Sequence, residues 1–437
     1  MANKIPVKFY YDTMPGMPQI TNQYGDMVNV LDTVLANGGA WNNVVSVTFA
    51  DGFITVTTAS AHNYVRLQVI ELEGANQADY NGEFRISEIV SATSFKAIMT
   101  VIPAQSSASG TMRHRIPPLG YEIAFTGTNK RAYRSKNIAG TRPYLRVDNS
   151  ADPAWNGTYS IKSRVTAARS MSDIDTFTAG RMPFDPSNPT MNETVTGTGN
   201  AARLGWFTWI QTTAHSGIQP TDQTSIAGSN TNRMWMIVGD DRAFWLVIYP
   251  GPRTSTSWGR VAYGFGEYDS RKPNDQFNYF LVASESTIVA NTGYYLGNTV
   301  DLPMSASRSS NQGMIIPRNF SGFGYHEKFA ATSHTFTVNS AAYSGATASI
   351  PYPNGPDYSM WFCPRYIAES TRGDIRGILP GTYFIPHSIT MADLSIIENV
   401  MIDGNASDRK MMLTNVCHGS TADRVLAFDI IGPWRKN

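Results

Sequence analysis

The chain has 437 residues, enough for two or three domains at about 100–200 residues each, so a sizeable core is available. Only 16% of residues are charged, against roughly a quarter in ordinary soluble domains, and Gly (36), Tyr (21) and Trp (9) are plentiful, which favours β structure with many turns. The net charge is +1 with Lys and Arg scattered singly, which argues against direct nucleic-acid binding, and no apolar run approaches the roughly 18 residues of a membrane span.

The start, MANKIPVKFYYDTMPG, lacks a charged region followed by an apolar stretch, so no secretory leader is expected. Cys363 and Cys417 are too few for a disulfide framework and fit synthesis in reducing cytoplasm, while a single long-range pair stays open. Met1 to Gly16 and Pro433 to Asn437 read as mobile ends that order on assembly.

Met27, Val30, Leu31, Val34 and Leu35 fall at helical spacing, predicting one amphipathic helix that Gly38 and Gly39 end. From Val44 the period becomes two. Val45, Val47 and Phe49 share one face, Ala50-Asp51-Gly52 turns, and Ile54 and Val56 return, which predicts a hairpin. Further short strands follow in NYVRLQVIEL, ADYNGEFRISEIV and SFKAIMTVI, then a loop at AQSSASG. Residues 1–43 are therefore expected as an N-terminal segment with a short helix, 44–115 as a small β-barrel or sandwich module, and 116–437 as a large β-rich domain. The fold class is mainly β: sandwich or barrel domains, one short N-terminal helix and the small inserted β module. Without a 20–50 residue repeat or a sustained heptad, propellers, solenoids and coiled-coil shafts are disfavoured.

In MWMIVGDDRAFWLVIYP both faces of both predicted strands are apolar, so both should be buried on two sides. Gly239-Asp240-Asp241-Arg242 then falls where the hairpin reverses, because Gly and Asp tolerate positive φ and bond their own backbone. The competing reading joins Asp240 or Asp241 with Glu267, Asp269 or Glu285 in a glycosidase pair, which needs two carboxyls about 5–9.5 Å apart. The seven histidines show no zinc spacing, and neither a P-loop nor a nucleophile elbow occurs, so no catalytic residue, cofactor or metal is expected. Gly197 to Ala202 matches a relaxed glycine fingerprint without the strand and helix it requires, and Arg372-Gly373-Asp374 reads as a loop instead of an adhesion signal. The polar stretches Ser187 to Gly205 and His215 to Asn232 are expected as surface loops that reach a neighbouring subunit. Trp206, Trp209, His215 and Asn200 are the candidate interaction surface, since Trp206, Phe207 and Trp209 could stack on sugars, although aromatic residues in a β-rich chain are more often core.

Three stretches carry a resemblance: VKFYYDTMPGMPQITNQYGDMVNVLDTVLANGG; the module SAHNYVRLQVIELEGANQADYNGEFRISEIVSATSFKAI; and the C-terminal runs TRGDIRGILPGTYFIPHSI, IIENVMIDGNASDRKMMLTNV and RVLAFDIIGPW. Together, over about half the chain, they resemble structural proteins of tailed-phage tails, and among these the sheath or sleeve of N4-like short-tailed phages. The resemblance implies a non-enzymatic virion subunit made in host cytoplasm. It also implies a ring of identical copies, contacts with other tail or portal-proximal proteins and with a host outer-surface receptor, and no membrane insertion. A receptor- or glycan-binding adhesin and a polysaccharide-degrading enzyme are the alternatives.

Overall fold

The computed structural model describes residues 4–151, 160, 162–193, 195–196, 203–204, 207–212, 230–249, 261–285, 313–333, 358–369, 373–385, 394–402, 405–417 and 423–435. Among the described residues the fold is mainly β, with one short helix, a closed six-stranded barrel, a 13-stranded sheet and a six-stranded sheet. None of its described helices is long and apolar enough to cross a membrane.

The helix forms where the apolar spacing places it, over Asp26–Leu31, and buries Met27, Val28, Val30 and Leu31. Asp32–Asn37 then widens into π geometry while still burying Val34 and Leu35, and Gly38 ends it at φ 75° with its N–H bonded to Thr33 O at 2.8 Å. Glycine suits that stop because a side chain there would be strained.

In the barrel, Asn42–Ala50 pairs with Phe53–Thr58, which continues through Ser94–Ile98, Gly82–Ser91, Val69–Ala75 and Gly110–Arg115 back to the first strand. Asp51 and Gly52 turn the first hairpin with positive φ at both positions, 52° and 83°, as a tight two-residue turn requires. Val47, Ile54 and Val56 fill the interior as the alternation predicts. Val45 does not join them: a bulge between Val44 and Ser46 breaks the period, leaving it 64% exposed.

The largest sheet begins with Lys8–Tyr11, paired with Trp235–Gly239, and proceeds through Ala243–Ile248, Val261–Glu267, Tyr279–Val282, Met314–Ile316 and Glu327–Ser333. Cys363–Glu369, Ile375–Phe384, Asp423–Asp429, Asn405–Cys417 and Ile396–Ile402 complete its order. A second sheet, of six strands, runs from Ser284–Glu285 through Phe207–Ile210, Lys162–Ala168, Tyr144–Asp148 and Lys130–Ser135 to Tyr121–Gly127.

Phe244 and Trp245 show how these layers meet. Phe244 points toward the six-stranded sheet, edge-on to Trp209 at 6.2 Å and to Tyr121 at 5.9 Å. Trp245 points the opposite way, stacking on Phe280 at 5.3 Å, touching Phe428 at 6.4 Å and donating its Nε1–H to Pro380 O at 3.0 Å. Phe428 belongs to a strand far along the same sheet, so the sheet curls back over its own first half. Ala243–Ile248 is thereby enclosed between two layers, and every residue in it is buried, as its unbroken apolar run predicts.

The chain ends are more ordered than the sequence suggests. Lys8–Tyr11 is a sheet strand, and Trp434 donates its Nε1–H to Asp429 O at 2.8 Å, because backbone pairing and a ring pocket are already available within one chain. Trp245→Ala should lower stability by about 3–5 kcal/mol, since both layers lose a filled ring position. Urea unfolding followed by fluorescence measures this loss.

Candidate functional site

The hairpin reversal holds the first sequence candidates. Asp240 Oδ1 accepts the backbone N–H groups of Arg242 and Ala243 at 2.8 and 2.7 Å, and Asp240 N–H bonds Ala243 O at 2.9 Å. The side chain thus closes the turn, which is the first reading the sequence allowed. Its second oxygen meets Arg435, whose Nη2 also donates to Glu267 O at 2.7 Å. Glu267, fully buried, accepts Arg142 N–H at 2.9 Å on Oε1 and Arg242 Nε at 2.9 Å on Oε2. Arg435 Nε also lies 3.6 Å from Asp269 Oδ1. Asp241 takes the Asn137 amide at 3.1 Å on the rim of the cluster.

The structure therefore gathers Asp240, Glu267 and Asp269 around two guanidinium groups. Burial pushes the Asp240 carboxyl above its ordinary range, and Arg435 with the two turn N–H groups pulls against that shift. Both oxygens of Asp240 and of Glu267 are engaged inside the protein, so these carboxylates serve as counter-ions at the junction of strand turn and C-terminus. The side chain of Glu285 lies outside the described ones. Arg435 was invisible as a partner in the sequence, because 195 positions separate it from Asp240.

The surface candidates fare differently. Trp206, His215 and Asn200 lie outside the described residues. Trp209, expected at an interaction surface, is instead a core residue: its ring stacks on Tyr263 at 5.8 Å and its Nε1–H reaches Val282 O at 2.9 Å. Its strand, Phe207–Ile210, lies inside the six-stranded sheet, which explains the burial. In the first polar loop, Asn192 is tied down, donating to Val165 O and Thr166 Oγ1 at 2.8 Å and accepting Phe207 N–H at 2.7 Å. Residues 213–229 of the second loop lie outside the described residues. Cys363 is a free, buried thiol, and the side chain of Cys417 is outside the described ones. Gly373 N–H bonds Glu369 O at 2.7 Å in the connection between paired strands, so Gly373 and Asp374 serve a turn, while Arg372 lies outside the described residues.

Sequence reasoning missed a cavity of about 230 Å³ at the barrel mouth, bounded by Pro15, Gly39, Asn42, His62, Tyr64 and His114 among others. His62 Nδ1 accepts Tyr64 N–H at 2.9 Å, so its proton sits on Nε2 and reaches Ser91 O at 3.0 Å. The Tyr64 hydroxyl meets His114 Nδ1 at 2.6 Å. Burial, followed by nearby His62, pushes His114 down to about 4. The two histidines are 52 positions apart and come together only when the barrel closes. Among the described residues no cluster of His, Cys, Asp and Glu could hold a metal ion.

On the barrel exterior the apolar pattern is reversed. Phe53 and Ile98 face each other across paired strands, Val101 and Ile102 follow in the next four residues, and Val45, Ile89 and Val90 are exposed on the same module, with Ile102 at 83%. Lys96 on this face is matched to Glu88 at 2.9 Å.

No protein-family model matches the chain, and no curated protein matches it. A solved structure of the Phage phi92 endosialidase aligns over 91% of this chain and 71% of its own, at 9% identity and a TM-score of 0.15. At that score the likeness carries no inference about this chain.

Two outcomes follow. Arg435→Met should cost about 3–5 kcal/mol, because Asp240 keeps its burial and loses its cation; thermal unfolding measures the change. His114 titrates lower in the fold than the ordinary 6.5, so the unfolded chain binds the proton first and stability falls as pH drops from about 6.5 toward 4. The fall should reach about 3 kcal/mol, and His114→Gln should remove that share of the acid sensitivity in unfolding curves collected across this range.

Proposed function

We propose that this chain is a structural subunit of a tailed-phage virion, a tail sheath or ring component that assembles with copies of itself, joins other tail proteins and contacts the host surface. The observation that carries the assembly reading is the apolar outer face of the barrel module. A small barrel needs its apolar side chains inside, yet Phe53, Ile98, Val101 and Ile102 stand in solvent beside one another in sequence or across a strand pair. Contiguous exposed apolar surface on a folded module marks a contact surface. The tail assignment itself is supported by the three-part sequence resemblance, and the low overall charge suits a subunit enclosed by neighbours. On this reading the protein is not an enzyme and needs no cofactor: the buried carboxylates hold its fold, and its surfaces perform its function.

A ring closes through two different patches on each copy, so the barrel face should meet a distinct surface of the next subunit. Native mass measurement and electron microscopy of the purified chain should show closed rings. Phe53→Lys with Ile102→Asp should yield monomers whose unfolding transition stays within about 0.5 kcal/mol of the parent, because both side chains are exposed. A parent chain that stays monomeric at all concentrations, or a variant that assembles normally, counts against self-assembly through this face.

A further inference from the structure

A second exposed apolar group has a different chemistry. The strands Met314–Ile316 and Glu327–Ser333 pair antiparallel, and residues 317–326, PRNFSGFGYH, form the loop between them. Phe320, Phe323 and Tyr325 are exposed on that loop, Phe323 at 75%. Gly322 and Gly324 adopt φ of 85° and 93°, which lets the chain coil tightly enough to present three rings within six residues.

The loop is closed on itself. Asn319 Oδ1 accepts Phe323 N–H at 3.0 Å, and Gly322 N–H bonds Asn319 O at 2.9 Å. Lys272 Nζ donates to Phe320 O at 3.4 Å, Arg318 lies over the Phe277 ring at 4.0 Å, and Phe184 supports Tyr325 at 5.4 Å. Such fastening lowers the entropy lost when the rings take up a ligand.

Charge separates this surface from the barrel face. Lys272, half-buried, reaches the loop at Phe320 O, its sequence neighbour Arg271 is exposed, and among the described residues neither forms an ion pair with a carboxylate. The nearby acids are committed elsewhere. Asp275 accepts Ser270 Oγ at 2.7 Å and Phe277 N–H at 3.0 Å and lies 3.5 Å from Arg376, while Asp185 accepts both the N–H and hydroxyl of Ser187. Glu327 sits at the base of the hairpin with His326.

We propose that this loop binds an anionic carbohydrate, with sugar rings against Phe323 and Tyr325 and a carboxylate or phosphate on Arg271 and Lys272. Flat aromatic faces stack on the C–H faces of sugars, and paired cations select the acidic ones. A second copy of this chain is the competing occupant, and the oligomer mass of the ring variant separates the two. The proposal does not depend on ring assembly, which mass measurement reads separately.

The full chain is tested on immobilised alginate, a uronic-acid polymer, on polyglycerol phosphate, and on neutral dextran. Binding to at least one acidic polymer should exceed dextran by about tenfold at ~50 mM salt and weaken strongly at ~0.5 M, where the screening length shrinks severalfold. Phe323→Ala with Tyr325→Ala, and separately Arg271→Gln with Lys272→Gln, should each reduce that binding about tenfold with unchanged thermal unfolding and unchanged oligomer mass. Equal binding to dextran, no binding to either acidic polymer, or full affinity in the ring variant overturns the proposal. A ring variant that keeps carbohydrate affinity and loses oligomer mass assigns the loop to subunit contact and overturns it as well.

Discussion

Enclosure of the strand Ala243–Ile248 on both faces is the constraint from which the rest of the architecture follows. A strand apolar on alternate residues needs one covering layer; this one, with Phe244 facing one way and Trp245 the other, needs two. The six-stranded sheet supplies the first through Trp209 and Tyr121. Among the described residues no other sheet supplies the second; the long sheet curls until Phe428 and Pro380 reach Trp245. Close approach within the sheet depends on Gly264, where a Cβ would fall 2.6 Å from the Trp245 ring. The curl also carries the C-terminal residues to the hairpin turn, which is how Arg435 comes to neutralise Asp240.

The barrel is fastened to this body at more than one depth. Lys8, on the first strand of the large sheet, pairs with barrel residue Glu83 at 2.8 Å with both side chains nearly buried. Burial lowers the Lys8 ammonium while Glu83 opposes that shift. Arg85 adds bonds to Val7 O at 2.8 Å and Leu67 O at 2.9 Å. Farther out, Arg66 meets Glu398, which also takes Lys410 at 2.7 Å, and these two cations hold that carboxyl at about 2. The buried pair fixes orientation because either partner alone would be a stranded charge, whereas the exposed set is screened by solvent and adds little. A firmly held barrel presents its outer face in one direction, which the proposed assembly would require.

Local features of this fold were legible because they follow from local rules. Apolar spacing located the helix from Met27 to Leu35, Asp51-Gly52 located a hairpin turn, and the unbroken apolar runs around Asp240 announced double burial. What escaped depended on distant partners. The bulge that exposes Val45 changes register by one residue within a strand whose alternation otherwise continues. Trp209 in a short run beside polar loops looks available, and only the neighbouring sheet shows that it fills a core position. The His62–Tyr64–His114 cluster needs barrel closure, and Arg435 needs the whole chain to return to its starting layer. The aromatic loop at 317–326 did carry a local signal, three rings spaced by glycines, of the kind attributed instead to Trp206 and Trp209.

The distribution of acids and apolar groups bears on how such a chain acts. A hydrolase keeps a carboxyl where substrate can reach it and lets its surroundings tune the proton. Here arginines occupy the oxygens of Asp240 and Glu267, so these carboxylates hold a turn to a tail. Exposed apolar side chains follow the complementary logic. On the barrel face Lys96 is matched by Glu88 beside exposed apolar side chains, the surface proposed for protein contact, while the loop at 317–326 sets three rings beside Lys272, the surface proposed for an acidic, hydroxyl-rich ligand. One chain can carry both because they occupy separate elements, the outer strands of a closed barrel and a hairpin loop of the curled sheet. On the proposed reading, a subunit that grips its neighbours with one surface and the host with another would use that separation.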